Sequence, residues 1–411
     1  MFVSDEGNLI VSVIVPARNE ETCLASCLES LVTQTGIDFE IVVVDDDSTD
    51  RTAEIARTFV TTECVGTHLQ DSHPARFSPD GTETRPILMV ISAPPLPDGW
   101  TGKNNAMAAG AKIAKGKWLL FTDADTVHRP GSMARAVAEA EQHGAALLSY
   151  SPEQEVRTFW EKAVMPVIFA ELAATYPPKR VNDPSSPIAA ANGQYLLISR
   201  EAYDAVGGHA KIADNLLEDV AMARLVKSSG RRIFFRYGGD AVRTRMYRSW
   251  AQMKEGWTKN LALVFPMPIW TAVWNLMLFY LLFAIPAGIA LALAGFVPGY
   301  YGRLAWPQLV YILDAITGLV VVAAMIFSKL GKANFKTSRV IAVIGLPIFG
   351  YLLLRSEYSL HRRSLNWKGR AYRYRAADIE GFRNTNSAID AQQLYNVWTR
   401  IVPGSWLKRK T

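Results

Sequence analysis

Two short apolar runs that stop abruptly in carboxylates constrain this chain more than any other feature. One is Ile41–Val44 followed by Asp45, Asp46 and Asp47; the other is Trp118–Thr122 followed by Asp123, Ala124 and Asp125. Continuous apolar runs of this length read as strands buried on both faces, which belong to a mostly parallel sheet with helices on each side. Carboxylates at their ends then cluster at the carboxyl edge of the sheet, where open α/β sheets bind ligands. Residues two apart on an extended chain point the same way, so Asp123 and Asp125 can face one divalent cation and hold it against a diphosphate. Each cluster taken singly is also explained as a helix cap or a turn.

The neighbouring sequence keeps alternating strand and helix patterns. Leu9–Val15 reads as a strand, Glu20–Val32 as a helix through Leu24, Cys27, Leu28 and Leu31, and Asp50–Val60 as a helix with Asp50 at its cap. Ile87–Ser92, Gly102–Lys115, Trp118–Thr122 and Gly131–His143 continue the alternation, while Gly66–Arg85 is polar and rich in turn formers, a surface loop. The turn after the first strand, Pro16-Ala-Arg-Asn-Glu20, has no glycine and cannot cradle a dinucleotide pyrophosphate. Gly99-Trp-Thr-Gly102-Lys103-Asn104 is not a P-loop either, because its glycines are too close and no Ser or Thr follows the lysine.

At 411 residues and 49% hydrophobic, the chain is richer in apolar residues than a purely soluble protein needs to be. The excess lies in Trp270–Val297, Trp306–Phe327 and Val340–Leu354. The first two are long enough to span a bilayer; the third is short and holds Gly345, Pro347 and Gly350, which reads as a short span or a re-entrant segment. Met1–Gly7 is acidic and carries no signal-peptide pattern, which places the N-terminal part in the cytosol. Cys23, Cys27 and Cys64 form neither a disulfide framework nor a zinc pattern and read as reduced packing residues. The net charge of +6 belongs to the C-terminus, where twelve Lys or Arg stand against four Asp or Glu from Arg355 onward. A basic segment next to apolar ones suits anionic lipid headgroups, and no zinc-finger or RNA-binding signature points to nucleic acid.

Several motifs, in order and spacing, resemble the family 2 glycosyltransferases of the GT-A type. They are Val13-Ile-Val-Pro-Ala-Arg-Asn-Glu20, the run Val42–Asp50, Asp123-Ala-Asp125 and Leu217-Glu218-Asp219, and they cover residues 9–262. Leu96–Lys103, Ala191-Asn-Gly-Gln194, Gly207-Gly-His209, Gly256-Trp-Thr-Lys-Asn260 and Trp367-Lys-Gly-Arg370 resemble the hopene-associated and carotenoid branch of that family. The resemblance implies an α/β fold: a GT-A nucleotide-sugar-binding, Rossmann-like domain over residues 1–265, a membrane domain over 266–356, and a basic cytosolic tail over 357–411.

It also implies roles. Pro16, Arg18, Glu20, Asp45 and Asp46 would line the donor nucleotide pocket, with Asp47 a third acid where the family often has glycine. Asp123 and Asp125 would hold Mg²⁺ or Mn²⁺, and Lys103, at a helix start, would meet donor phosphate or else stand solvated there. Asp219 would be the base that deprotonates the acceptor hydroxyl in an inverting transfer, with Glu218 beside it; first-turn helix charges are the structural alternative for both. Gln194, His209, Trp257 and Lys259 are the acceptor-side candidates. His209 reads alternatively as a contact to donor phosphate or metal, or as a structural residue, and Trp257 as an interfacial anchor. The processive synthases of the family carry Gln-x-x-Arg-Trp, whereas Gln252-Met-Lys-Glu-Gly256-Trp257 has an extra residue and no arginine, which argues for single transfers. Phe159–Tyr176, apolar and inside the catalytic region, either lines a lipid groove or is core.

These features together predict a metal-dependent, hexosyltransferase-like enzyme of the inner membrane that faces the cytosol and moves one sugar from a nucleotide-diphosphate donor to a lipid-soluble acceptor. A polyprenyl-phosphate sugar synthase shares the fold, and a non-catalytic membrane scaffold that retains a nucleotide-sugar fold is the alternative from another class, against which the presence of both Asp125 and Asp219 speaks. The positive-inside rule wants both the loop with Lys329, Lys332, Lys336 and Arg339 and the basic tail in the cytosol. Two full spans plus a re-entrant or interfacial third segment satisfy both.

Overall fold

The computed structural model describes residues 9–60, 86–294, 306–335, 339–362, 365–367 and 370–372. Cys64, the loop Gly66–Arg85 and the tail beyond Tyr372 lie outside the described residues. In chain order the elements are β1 (Val11–Ala17), α1 (Leu24–Val32), β2 (Phe39–Asp45), α2 (Thr52–Arg57), β3 (Ile87–Ser92), α3 (Gly102–Ile113), β4 (Trp118–Phe121), β5 (Thr126–His128), α4 (Ser132–Gln142), β6 (Leu147–Ser151), β7 (Glu153–Gln154), α5 (Phe159–Thr175) and α6 (Pro178–Val181). They continue with β8 (Leu196–Ser199), α7 (Arg200–Ala205), a 3₁₀ turn (Gly208–Ile212), α8 (Glu218–Ser228), β9 (Ile233–Tyr237), β10 (Val242–Thr244), α9 (Trp250–Val264), α10 (Pro268–Ala294), α11 (Trp306–Leu330) and α12 (Arg339–His361).

These elements form two compact units, one of residues 1–155 and 176–246, the other of 156–175 and 247–411. In the first, a seven-stranded sheet runs β3-β2-β1-β4-β8-β6-β9. Its first four strands are parallel, β1 pairing with β2 from Val11↔Phe39 to Ala17↔Asp45 and with β4 up to Ile14↔Phe121. Val13, Ile14 and Val15 of β1 and Ile41–Val44 of β2 are wholly buried, as strands covered on both faces must be. Leu24, Cys27, Leu28 and Leu31 put one stripe of α1 on that sheet, the spacing of a helix with a single apolar face. The sheet is mixed rather than wholly parallel. β8 runs antiparallel to β4, with Phe121 opposite Leu196, so the turn just before β8 lies at the same edge as the end of β4. A small second sheet, β5-β10-β7, follows the acidic loop after β4.

The second unit is mostly helical, with one small antiparallel pair of strands, Leu365–Trp367 and Arg370–Tyr372. α10, α11 and α12 are each long and apolar enough to cross a membrane. α12 is one continuous helix of 23 residues, which corrects the expectation of a re-entrant segment. A re-entrant segment must turn back within the bilayer, and Gly345, Pro347 and Gly350 do not break the helix here. The helix goes on past the apolar run, through the more polar stretch Arg355–His361. Gly345 has another use: a Cβ there would lie 1.9 Å from the Ala163 carbonyl oxygen of α5, so only glycine lets the two backbones meet. Within the same unit Glu171 of α5, Asn275 of α10 and Lys329 of α11 form a buried polar cluster. Lys329 is ion-paired to Glu171 and lies 3.0 Å from Asn275 Oδ1, and Asn275 Nδ2 donates to Glu171 Oε1 at 2.6 Å. α5 therefore belongs with the apolar helices. It buries Ala163–Ile168, Ala170 and Glu171 as core, with Phe159 and Trp160 exposed.

Replacing Gly345 by valine forces the two helices apart against unyielding backbone. The variant should lose at least about 1–3 kcal/mol of stability, read as a lower thermal midpoint of the detergent-solubilised protein, whereas Gly288→Ala, where a Cβ meets nothing within 4 Å, should leave the midpoint near that of the native chain.

Candidate functional site

All the acidic motifs of the first unit converge on the carboxyl edge of its sheet. β1 and β2 end in register at Ala17 and Asp45, and their loops are tied by Arg18, whose Nη1 donates to the carbonyls of Asp46 at 2.5 Å and Asp47 at 2.9 Å. Asn19 Oδ1 accepts the Thr49 amide at 2.8 Å, and Asn19 and Asp47 both take left-handed backbone, with φ of 53° and 59°. Asp50 accepts from the amides of Thr52 and Glu21, contacts that pull its carboxyl below the ordinary value against the opposing effect of burial. Asp46 is buried, Pro16, Glu20 and Asp45 are half-buried, and Asp47 projects outward.

The centre of the site is Lys103. Thr101 caps α3 by accepting the Asn104 amide at 3.2 Å, and Lys103 follows in the first turn. Asn104 Nδ2 lies 2.7–3.0 Å from the carbonyls of Ile212, Ala213 and Asn215, so the first turn of α3 also fixes the segment leading into α8. α8 opens with Glu218 and Asp219. Lys103 Nζ thereby stands 2.7 Å from Asp123 Oδ1 and 2.6 Å from Glu218 Oε1. Burial opposes its charge, but Asp123 and Glu218 outweigh that and hold its pKa well above the ordinary value.

Asp219 accepts the Gly193 amide at 2.9 Å and the Val220 amide at 2.8 Å. Burial, reinforced by the Glu218 charge, raises its pKa to about 6, with Lys103 and the two amides opposing. A carboxyl near 6 is deprotonated at neutral pH yet basic enough to accept a proton, which suits a general base. Gly193 makes the convergence possible: a Cβ there would sit 3.1 Å from Glu218 Oε1 and 3.3 Å from Lys103 Nζ.

Beneath the acidic loop lies a buried polar network that sequence reasoning missed. Thr122 Oγ1 donates to the Gln194 carbonyl at 2.8 Å and lies within hydrogen-bonding distance of Thr126 and His128. Thr126 Oγ1 bonds the Asp123 carbonyl at 2.8 Å, and Thr244 Oγ1 the Asp125 carbonyl at 3.1 Å. Burial drives His128 down to about 3, so its ring is neutral and serves as a hydrogen-bonding strut. Burial likewise pushes the neighbouring Cys27 thiol up to about 12, making it inert. Only the alternation of Thr122, Thr126 and His128 around the acidic motif hinted at this layer.

Two acceptor-side expectations do not fit. His209 is 3% exposed, packs edge-on against Phe121 and pairs through Nδ1 with the Tyr203 hydroxyl at 3.0 Å; it is a structural residue with no surface to offer an acceptor. Gln194 is 4% exposed and its amide lies 3.3 Å from Thr244 and 3.4 Å from Gln154, so it supports the acidic loop. In the second unit Trp257 is buried edge-on against Tyr247 and Phe169, and Lys259 is half-buried. Among the described residues no group of three His, Cys, Asp or Glu closes around a metal; Asp123 and Asp125 are the oxygen donors that suit a hard cation.

Residues 12–69 and 95–207 match the profile described as Glycosyl transferase family 2, and the chain carries a domain of that family. Among named relatives it is 27% identical over 261 residues to 4,4'-diaponeurosporenoate glycosyltransferase of Staphylococcus aureus, a match covering 61% of this chain and 60% of the relative. The chain thus aligns with about three fifths of the length of the curated relatives it matches. Of solved structures, a mannosyltransferase from Pyrobaculum calidifontis in complex with GDP-Man and Mn²⁺ is 16% identical, with a TM-score of 0.44 over 86% of this chain and 87% of that one. TarS 1–349 of S. aureus in complex with UDP-GlcNAc is 16% identical, with a TM-score of 0.37 over 90% and 97%. Superpositions this loose add nothing to the sheet order and the family match.

Because the folded state raises the Asp219 pKa, the proton is held more tightly in the fold than in the unfolded chain. Its contribution to stability is full below about pH 4 and is lost as pH rises through about 6. Asp219→Asn should therefore gain stability over the native chain on going from pH 4 to pH 8, by on the order of 1–2 kcal/mol for a partly exposed group. Thermal midpoints measured at both pH values check this; a gap that stays constant means an ordinary carboxylate.

Proposed function

We propose that the chain is an inverting glycosyltransferase that moves one sugar from a nucleotide-diphosphate donor to a lipid-soluble acceptor at a membrane. The observation that carries this reading is the grouping of Lys103, Asp123, Glu218 and Asp219 at one sheet edge, with Asp219 raised toward neutrality. Pro16, Arg18, Glu20, Asp45 and Asp46 receive the nucleotide. In the transfer, the acceptor hydroxyl oxygen attacks the anomeric carbon from the face opposite the leaving group, and Asp219 takes its proton. The bond from that carbon to the phosphate oxygen breaks, its electron pair stays on the nucleoside diphosphate, and the Lys103 ammonium meets the new charge. Glu218 keeps Lys103 in place.

Asp123 and Asp125 fit Mg²⁺ or Mn²⁺: both are carboxylates, their backbone is fixed by Thr126 and Thr244, and two protein ligands suffice for a cation that keeps water and phosphate oxygens. Such an ion, when bound, neutralises charge on the leaving diphosphate. The lipid acceptor is supported by the name of the 27% identical relative and by the apolar helices. Lys259 and Trp257 belong to the second unit, and Trp257, being buried there, is read as packing.

Trp270, Tyr280 and Phe283 of α10 and Val320 of α11 are exposed, as lipid-facing residues would be. Placed in a membrane, α10 and α11 cross it, and α12 lies along it with Val340, Ile344, Tyr351, Leu354 and Tyr358 as its lipid-facing stripe. This puts the catalytic unit, the loop containing Lys332 and the basic segment from Arg355 on the cytosolic side, the last against anionic lipid.

Asp219→Asn should lower the turnover number at least about a hundredfold while leaving nucleotide-sugar affinity within a few-fold of the native value, and kcat/KM of the native enzyme should fall below about pH 6, where Asp219 becomes protonated. Equal loss of binding and turnover means that the residue is structural. A cysteine at Lys332 should be shielded from a membrane-impermeant thiol reagent in intact cells and react after lysis; labelling of intact cells reverses the orientation.

A further inference from the structure

We infer that Lys103 occupies the cation side of Asp123 when no donor is bound, so that a divalent cation enters together with the nucleotide rather than before it. The inference rests on the assignment of Asp123 and Asp125 as cation ligands. Lys103 Nζ is in full contact with Asp123 Oδ1 at 2.7 Å and is held from the other side by Glu218 Oε1 at 2.6 Å. A dication reaching that carboxylate meets an ammonium already neutralising it, and two cations on one carboxylate oxygen repel strongly at such range. The ammonium has no reason to leave Asp123 until another anion offers itself.

A donor diphosphate is that anion. With it bound, Lys103 can turn from Asp123 to phosphate while Glu218 still anchors it, and Asp123 is freed for the metal. The approach is open: Lys103 and Asp123 keep about a third of their side-chain surface, 32% and 28%, and the backbone at Gly193 leaves room beside Nζ that any side chain would fill. Nucleotide and cation therefore bind cooperatively, part of the coupling being the displacement of one lysine, and by linkage each raises the affinity for the other by the same factor. Metal arriving alone binds weakly, so the site does not load with cation and wait.

The test is Mn²⁺ binding to the full-length, detergent-solubilised protein, followed by the paramagnetic signal of free Mn²⁺, first with the metal alone and then with UDP, GDP, ADP or dTDP added. Lys103→Gln, which removes the charge and keeps a polar side chain, should bind Mn²⁺ alone about tenfold or more tightly than the native chain, and the enhancement by nucleotide should shrink by a similar factor. Lys103→Arg, which keeps the charge, should stay within about threefold of native. Adding Asp125→Ala to Lys103→Gln should remove the gained binding. Unchanged, weaker or undetectable Mn²⁺ binding by a folded Lys103→Gln overturns the inference while leaving the metal assignment standing if nucleotide brings Mn²⁺ to the native chain. If no nucleotide does so either, the metal assignment falls as well.

Discussion

One ammonium group between two carboxylates organises the acidic edge of the sheet in this protein. Lys103 joins three separate stretches of chain, the start of α3, the loop after β4 and the start of α8, through contacts of 2.7 Å and 2.6 Å. Without its charge, Asp123, Glu218 and Asp219 would face one another across a partly dry pocket, a like-charge arrangement that a fold sustains only at considerable cost. The same contact sets the character of Asp219. That carboxyl is pushed up by burial and by Glu218 and pulled down by Lys103, so its basicity reflects a balance around the lysine rather than a property of its own position.

The rest of the first unit can be understood as holding that contact still. An antiparallel β8 brings Asn192–Gln194 to the edge where β4 ends, and glycine at 193 leaves room for the lysine and Glu218. Asn104 ties the first turn of α3 to the segment before α8, so the lysine and the two acids of α8 cannot drift independently. Under the acidic loop, hydroxyls of Thr122, Thr126 and Thr244 bind carbonyls instead of leaving them to water. Held through these carbonyls, the backbone of the acidic loop has little freedom, whichever groups it presents at the edge of the sheet.

Much of this was legible in the sequence, and the remainder was hidden for identifiable reasons. Parallel strands covered on both faces announce themselves as apolar runs, so β1, β2, β3 and β4 were found to within a few residues, and so were the acids at their ends. The reversal of β8 was not, because strand direction is decided by tertiary pairing that a run such as Leu196–Ser199 does not encode. Lys103 was recognised as a phosphate candidate, but its bond to Glu218 joins residues more than a hundred positions apart. His209 misled because an isolated histidine in a glycine-rich motif looks functional until its burial is seen. In the helical unit hydropathy ended the last apolar segment at Leu354, whereas packing carries α12 to His361.

The placement of α5 has a consequence for how the chain is made. Its sequence lies between β7 and α6, yet it packs with α10, α11 and α12, and its Glu171 awaits Asn275 and Lys329. During synthesis the strands on either side of it can pair by the time residue 246 emerges, while α5 still lacks about a hundred residues of its eventual surroundings. An apolar helix carrying one uncompensated carboxylate must therefore wait, sheltered by lipid or a chaperone, until α11 delivers the lysine. The sheet and the apolar helices are thus not two successive chapters of folding, and a fragment cut at residue 246 carries an orphaned helix in its middle.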